Sequence, residues 1–213
     1  MFFKDIPLFA GLSVADHGQL LQVAVRKTYP RQTLLVREGD LGDRFYLLRK
    51  GRAKVYLGDD HGREVILSIL EPGDFFCEMA MIDDEPCSAN VMSLEESEFV
   101  SIAKADFQQV MASSPDMARR LLKSLAQRLR ESNQQIESLA LKDVQARVEQ
   151  ALQSLAKPEG NEFVIPVGIT HRDIAAMVGA SREMVTRVFR ELENSGFIRV
   201  DGRRITLVKP SGV

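Results

Sequence analysis

Three closely spaced side chains, Arg182, Glu183 and Arg187, have the chemistry needed to read the edges of base pairs. An Arg guanidinium can donate two parallel hydrogen bonds to the acceptors of guanine, and a Glu carboxylate can accept from the cytosine amine. Ser181, directly before them, is a residue type that favours helix N-termini. A helix beginning there would present all three side chains in its first turns, which predicts contact with bases of DNA.

The elements around this helix are also predicted. Thr170 can cap an earlier helix, with Asp173 as its capping-box partner three residues on. Gly179 can supply the tight turn between the two helices. Residues 198–207 are typical of two short strands around an Asp-Gly turn. Helix, turn, helix and hairpin together form a winged helix. Ordinary surface arginines on a small helical region are the alternative, and the agreement of these signals favours DNA binding.

Composition limits the class of protein. The 213 residues allow one large domain or two small ones, and a hydrophobic content of 45% suffices for packed cores. No apolar run is long enough to span a bilayer, and residues 1–7 lack the features of a signal peptide, so we expect a cytoplasmic protein without membrane contact. The net charge is −2, but the segment from Ala140 onward carries +2. A mildly basic end suits local contact with DNA.

Metal centres and disulfides are not expected. The two cysteines, Cys77 and Cys87, are too few for an iron–sulfur cluster or a structural zinc site. A structural disulfide is rare in the cytosol. The histidines at positions 17, 61 and 171 are scattered, which is typical of surface side chains rather than metal ligands.

From residue 29 to residue 102 the pattern changes to short apolar runs separated by Gly-containing segments. Many short strands with Gly turns are typical of an all-β sandwich or barrel, which can enclose one small ligand. The predicted strands lie within residues 33–36, 44–48, 53–57, 64–69 and 99–102.

Helix-forming residues dominate from residue 105 to about residue 156, and within them one stripe recurs at alternating spacings of 3 and 4. Such a narrow stripe on a long helix usually pairs with a copy of itself, so we expect a parallel homodimer. The alternative is a helix laid against the β-rich region. Ser132 is the polar member, and with Asn133 it offers hydrogen bonds near the dimer axis. The stripe consists of Leu122, Leu125, Leu129, Ser132, Ile136 and Leu139.

With these segments identified, the chain resembles the Crp–Fnr family of bacterial transcription regulators over essentially its whole length. The resemblance rests on residues 37–40, 50–51, 71–75, 138–144 and 181–187, of which the last is close to the recognition helix of the catabolite activator branch. It implies an α+β fold. The implied division is a β-roll sensor domain, a cyclic-nucleotide-binding-like jelly roll, at residues 1–104, a helical region with the dimerisation helix at 105–142, and a winged helix-turn-helix at 143–213.

The resemblance also implies how DNA is bound. A homodimer would place Arg182, Glu183 and Arg187 on a palindrome with TGTGA-like halves about one DNA turn apart. Contacts with phosphates would position the protein without specifying sequence, and the free donors at helix N-termini suit them. The residues assigned to the DNA backbone are Thr170, His171, Ser181, Arg203 and Arg204.

In cyclic-AMP-binding members of that family, a Glu binds the ribose and an Arg-Ser pair binds the cyclic phosphate. This chain keeps the Glu as Glu78 and the Ser as Ser88, but it has Cys87 in place of the Arg, and residues 79–91 contain no other Arg or Lys. A charge-assisted pair is worth about 1.5–3 kcal/mol, so cyclic AMP should bind roughly ten- to a hundredfold more weakly. The candidate ligand-binding residues are Glu78, Met79, Cys87, Ser88, Ser132 and Asn133.

Three alternatives remain open for the sensor. It binds a cyclic nucleotide in a different geometry, including a cyclic dinucleotide such as cyclic di-GMP. It binds no ligand, and the dimer is competent for DNA without one. Or Cys77 or Cys87 responds to oxidants or to a metal, although a buried, inert Cys87 is the simpler interpretation. The family's iron–sulfur branch uses an N-terminal cysteine cluster that is absent from this sequence.

We expect a DNA-binding regulator and not an enzyme, because the sequence has no P-loop, no cluster of metal ligands and no Ser/His/Asp motif. A different class, a cyclic-nucleotide-binding regulatory subunit that acts on a protein partner, is disfavoured by Arg182, Glu183 and Arg187. The expected partners are double-stranded DNA and a second copy of the chain. RNA polymerase is a further candidate, since we expect a loop at residues 157–162, in the place where the family can touch the polymerase, but this loop is short here.

Overall fold

A computed structural model describes Phe3 and residues 6–166, 168–202 and 204–208. Its contacts divide the chain into two compact units. The first comprises Met1–Leu57 and Leu67–Ser132, and the second comprises Gly58–Ile66 and Asn133–Val213. These bounds do not test the sequence-based domain limits at residues 104 and 142, which stay a prediction.

Two four-stranded sheets form the β-rich region. The first has the order β1–β8–β3–β6 and the second β2–β7–β4–β5. Leu48 and Phe99 of the first sheet pack in one core with Ala53, Leu70 and Val91 of the second, so the core lies between the sheets. The predicted β-roll is therefore confirmed. Its strands are β1 (Val25–Tyr29), β2 (Leu34–Val36), β3 (Arg44–Lys50), β4 (Ala53–Gly58), β5 (Glu64–Leu70), β6 (Phe75–Phe76), β7 (Asn90–Ser93) and β8 (Ser97–Ala103).

Helices close this roll on one side. Ser13 caps α1, with its hydroxyl oxygen 3.1 Å from the backbone nitrogen of Asp16. A second core of aromatic and aliphatic side chains joins these helices to the first sheet, and in it Phe45 stacks on Phe107 at a centroid distance of 4.4 Å. The helices are α1 (Val14–Val23), α2 (Glu78–Ile82) and α3 (Lys104–Ser113), followed by the long α4 (Pro115–Leu141).

Apart from Ser138, the buried residues of the 27-residue α4 lie near its start. Met117 and Leu121 lie in the core of the first unit, and Leu125 is half-buried against it. Further along, apolar members of the predicted stripe are open to solvent: Leu122 is 67% exposed, Leu129 63% and Ile136 64%. Burying large apolar side chains is favourable, so this exposed stripe offers a surface for a second helix.

The second unit contains the predicted winged helix. Its buried side chains come from three helices and from the strands that follow them, and they include Leu152, Ile174, Val185 and Ile198. The wing belongs to a sheet of order β11–β12–β10–β9, in which β9 and β10 form a hairpin at the segment expected to be a loop. The elements are α5 (Val144–Leu155), β9 (Lys157–Glu159), β10 (Glu162–Ile165), α6 (His171–Val178), α7 (Arg182–Asn194), β11 (Ile198–Asp201) and β12 (Arg204–Leu207).

Among the helices of the described residues, none combines the length and the apolar character that a membrane crossing requires.

Candidate functional site

The helix α7 presents the three predicted base-reading side chains together. It begins at Arg182, and Ser181 caps it with a hydroxyl oxygen 3.2 Å from the backbone nitrogen of Met184, as predicted. Arg182, Glu183 and Arg187 are all exposed, whereas Val185, Val188, Phe189 and Leu192 are buried. The apolar residues recur with the helical period, so burying them turns the three charged side chains to solvent.

Glu183 is held in its ionised form. Its carboxylate accepts a hydrogen bond from its own backbone N–H and another from the Ser181 hydroxyl, and the Arg182 charge is nearby, so the pKa of Glu183 is lowered. An ionised carboxylate only accepts hydrogen bonds, which is what the amino group of cytosine requires.

The capping box that begins α6 is confirmed. The Thr170 hydroxyl oxygen lies 3.2 Å from the Asp173 backbone nitrogen, and the Thr170 backbone N–H donates to the Asp173 carboxylate at 2.9 Å. The Thr170 hydroxyl also donates to that carboxylate at 2.6 Å. Gly179 ends α6 with a φ of 61°, the left-handed conformation that glycine adopts without strain. The hydroxyl of Thr170 is therefore already engaged, and a phosphate would have to compete with Asp173 for it.

The ring of His171 lies between α6 and α7. Its Nδ1 is 3.2 Å from Thr186 Oγ1, and the ring is 4.3 Å from that of Phe189. The Thr186 hydroxyl also lies 2.9 Å from the Arg182 carbonyl oxygen, to which it can donate while it accepts from Nδ1. Burial, followed by the Arg182 charge, lowers the pKa of His171. The folded protein therefore disfavours the charged imidazolium, so His171 would meet a phosphate as a neutral ring.

Of the two wing arginines, Arg204 is described and Arg203 lies outside the described residues. The Arg204 guanidinium is 3.1 Å from the Glu159 carboxylate and 3.3 Å from that of Glu162, and Glu162 also pairs with Arg199. Two carboxylates therefore partly neutralise Arg204, which was predicted to bind the DNA backbone. These pairs are exposed, so each is weak and a phosphate could exchange with them.

The candidate sensor site is built around an ion pair between a buried carboxylate and a half-buried guanidinium. Glu78, the first residue of α2, is buried, and its carboxylate accepts from Arg128 of α4 at 2.7 Å. The same guanidinium donates to the Phe75 carbonyl and lies 4.7 Å from the centre of the Phe75 ring. A carboxylate out of water needs such a partner, because an unpaired buried charge is very costly. Arg128 brings a cation to the site, but Glu78 already balances its charge.

The other candidate ligand-binding residues are placed as follows. Met79 and Ser88 are exposed near each other, with 3.9 Å between the methionine sulfur and the serine hydroxyl. Cys87 is buried, and its Sγ lies 3.9 Å from that of Cys77. Ser132 and Asn133 are exposed on α4, and their part in ligand binding stays a prediction. The structure thus groups Glu78, Met79, Cys87 and Ser88 around the start of α2.

Sequence reasoning missed two basic residues at this site. Arg128 is 50 positions away from Glu78 in the sequence. Its place near the stripe residues Leu125 and Leu129 was the only feature of the sequence that could have pointed to it. Lys104 Nζ donates to the Ala80 carbonyl at 2.7 Å and pairs with Asp84 at 2.6 Å. Both cations come from helices outside residues 79–91, the segment in which the sequence has no Arg or Lys to replace the missing arginine.

Comparison with known proteins matches both units. Residues 26–114 match the cyclic nucleotide-binding domain and residues 146–212 match the Crp-like helix-turn-helix domain. A relative named cyclic AMP receptor protein, from Thermus thermophilus, is 32% identical over 198 residues, which are 92% of this chain and 90% of the relative. A CRP-like cAMP-activated global transcriptional regulator from Mycobacterium tuberculosis is 30% identical over 204 residues, covering 94% and 91% of the two chains.

A solved structure has the same fold. The c-di-GMP responsive global regulator CLP of Xanthomonas campestris superposes with a TM-score of 0.77 at 24% identity, over 93% of this chain and 100% of that chain. The β-roll, the long helix and the winged helix thus occur together in a known regulator. With two relatives at 30% identity or more over nearly the full length, the chain belongs to the Crp–Fnr family and is a DNA-binding transcription regulator.

Proposed function

We propose that this regulator acts as a cytoplasmic homodimer that binds a palindrome with TGTGA-like half-sites. The observation that carries the proposal is α7, whose capped N-terminus presents Arg182, Glu183 and Arg187 on one exposed side. Arg and Glu match the guanine and cytosine edges of such a half-site. A protein that binds DNA works in the compartment that holds the DNA.

The exposed stripe of α4 supports the dimer. Leu122, Leu129 and Ile136 are each more than half exposed in the single chain and recur at the spacing that two parallel helices share. A two-fold dimer would match a palindromic operator, since each of its two α7 helices would read one half-site. RNA polymerase remains a candidate partner for the β9–β10 hairpin, whose turn is at residues 160–161.

Binding of the wild-type protein to labelled DNA tests this function. We expect the palindrome to bind about a thousandfold or more tightly than a scrambled sequence of the same composition at physiological salt. A single half-site is the matched control and should bind much more weakly, because only one α7 can be engaged. Equal affinity for the palindrome and the scrambled sequence would rule out the proposed operator.

We further propose that cyclic AMP in the usual geometry does not control this protein. Arg128 pairs with Glu78, and the two charges neutralise each other. Arg128 would therefore stabilise a cyclic phosphate bound near Cys87 only weakly. The relatives from Thermus and Mycobacterium are named for cyclic AMP, and the CLP structure is titled for cyclic di-GMP. Three candidates remain for the sensor: a cyclic nucleotide, including a cyclic dinucleotide, bound in a different geometry; a ligand-free mode; and a response of Cys77 or Cys87 to oxidants or a metal. Operator binding with each nucleotide separates the first candidate from the other two.

Replacing Cys87 by Arg should restore cyclic-AMP binding. A guanidinium at this position would pair the phosphate, and such a pair is worth about 1.5–3 kcal/mol, or roughly ten- to a hundredfold in affinity. Isothermal titration of the wild type and of Cys87→Arg measures the change, and Cys87→Ser serves as a control that alters the side chain without adding charge. Micromolar binding by the wild type would show that another group neutralises the phosphate.

A further inference from the structure

Two cysteines face each other at the sensor site. Cys77 directly precedes α2, Cys87 follows it, and their Sγ atoms are 3.9 Å apart. Both are free thiols in the reduced protein. A disulfide bond has an S–S length of about 2.05 Å, so the sulfurs would have to approach by roughly 1.9 Å to form one. A side-chain rotation together with a small backbone shift covers that distance.

The backbone of Cys77 is strained. Its φ of 64° and ψ of 15° are left-handed, and its side chain makes no capping hydrogen bond to α2. Glycine adopts this conformation freely, whereas a residue with a Cβ atom does not. A strained conformation at a non-glycine residue often marks a functional position. Here the residue is a thiol in contact with a second thiol.

We propose that Cys77 and Cys87 form a reversible disulfide within one chain when the protein meets a hydroperoxide. In the first step a thiolate attacks the peroxide: an S–O bond forms, the O–O bond breaks, and an alcohol or water leaves. In the second step the other sulfur attacks the sulfenic acid: the S–S bond forms, the S–O bond breaks, and water leaves. The two thiols lose two electrons and two protons, and the hydroperoxide gains them. Transient redox-sensing disulfides are the recognised exception to the rule that cytosolic thiols stay reduced.

Closing the disulfide should move Cys77 rather than Cys87. The backbone of Cys87 is held on both sides, since its N–H donates to the Asp40 carbonyl at 2.9 Å and its carbonyl accepts from Gly39 at 2.8 Å. A shift of Cys77 carries the adjacent Glu78, and with it the ion pair to Arg128 of α4. The oxidation state of the two thiols is thereby coupled to the long helix.

The reaction should be slow at neutral pH and faster in base. Burial raises the pKa of the Cys77 thiol, and the neighbouring Cys87 raises it further; burial also raises the pKa of Cys87. The thiolate is the reactive form, so while it is the minor species the rate should rise about tenfold for each pH unit.

Oxidation of the full-length protein with hydrogen peroxide tests the proposal without reference to DNA. Trypsin leaves both cysteines in one peptide, because no Lys or Arg lies between residues 77 and 87. Cleavage after Glu78 separates residues 65–78 from residues 79–95, since Glu71 and Glu85 each precede a proline and are not cut. We expect mass spectrometry of the non-reduced monomer band to show these two peptides linked, and dithiothreitol to release them. Cys77→Gly, which suits the left-handed backbone, and Cys87→Ser should each abolish the linked pair.

Two results would overturn the proposal. One is linked peptides found only in a band of twice the chain mass, which would make the disulfide intermolecular. The other is that the thiols of the folded protein remain unoxidised and can still be alkylated after a peroxide dose that fully oxidises the unfolded chain. Hydrogen exchange of α4 tests the coupling: the amides around Arg128 should exchange faster in the oxidised wild type and not in peroxide-treated Cys77→Gly. Unchanged exchange at full disulfide formation would refute that step.

Discussion

Replacing Leu129 by Asp should convert the protein to monomers that no longer distinguish the palindrome from other DNA. Leu129 is 63% exposed in the single chain, so the change should leave the fold of each unit intact. In a dimer the new carboxylate would be buried among apolar side chains, where an unpaired charge is strongly unfavourable. Ile136, 64% exposed on the same stripe, should respond in the same way. Sedimentation velocity at micromolar concentration and DNA-binding titrations measure the two effects.

Gln134→Asp is the matched control for this experiment. Gln134 is exposed on α4 and lies on the side of the helix away from the stripe, so the same added charge should leave a dimer intact. If the wild type already sediments as a monomer at micromolar concentration, the stripe is not a dimer interface and the palindrome loses its structural basis.

Arg182→Ala and Arg187→Ala should each weaken binding to a TGTGA-type site by about 1–3 kcal/mol, or roughly ten- to a hundredfold, and relax the choice of base at one position. Both side chains are exposed on α7, whose opposite side is buried, so truncating them should change DNA contacts and not the fold. Titrations against a panel of operators with single base-pair changes identify the position that each residue reads.

Arg26→Ala removes the same charge from β1, in the other compact unit, and should change operator affinity little. The decisive comparison is between the palindrome and random DNA. An equal loss on both for Arg182→Ala would mean that this arginine contacts the backbone and does not read bases.

Local features were predictable from sequence because near neighbours determine them. The box of Thr170 and Asp173 and the Ser181 cap are contacts over three residues, and both are present as expected. The seven-residue spacing of Leu122, Leu129 and Ile136 likewise requires only a regular helix to form one stripe. The hairpin at residues 157–162 was harder to predict, since its strands are short and its pairing depends on the rest of the wing sheet.

The sensor site was decided by tertiary structure. Sequence identified Glu78, Cys87 and Ser88 and the loss of an arginine, but the cation that pairs with Glu78 comes from Arg128 on a different helix. Likewise, the contact between the sulfurs of Cys77 and Cys87 depends on the path of the chain through α2, which lies between them in sequence. A hydrogen-bonded cap or a helical period is set by the next few residues, whereas a buried carboxylate takes whichever cation the packing brings within reach. The amino-acid sequence by itself therefore determined the DNA-reading elements, and only the folded chain decided which charges and thiols meet at the sensor.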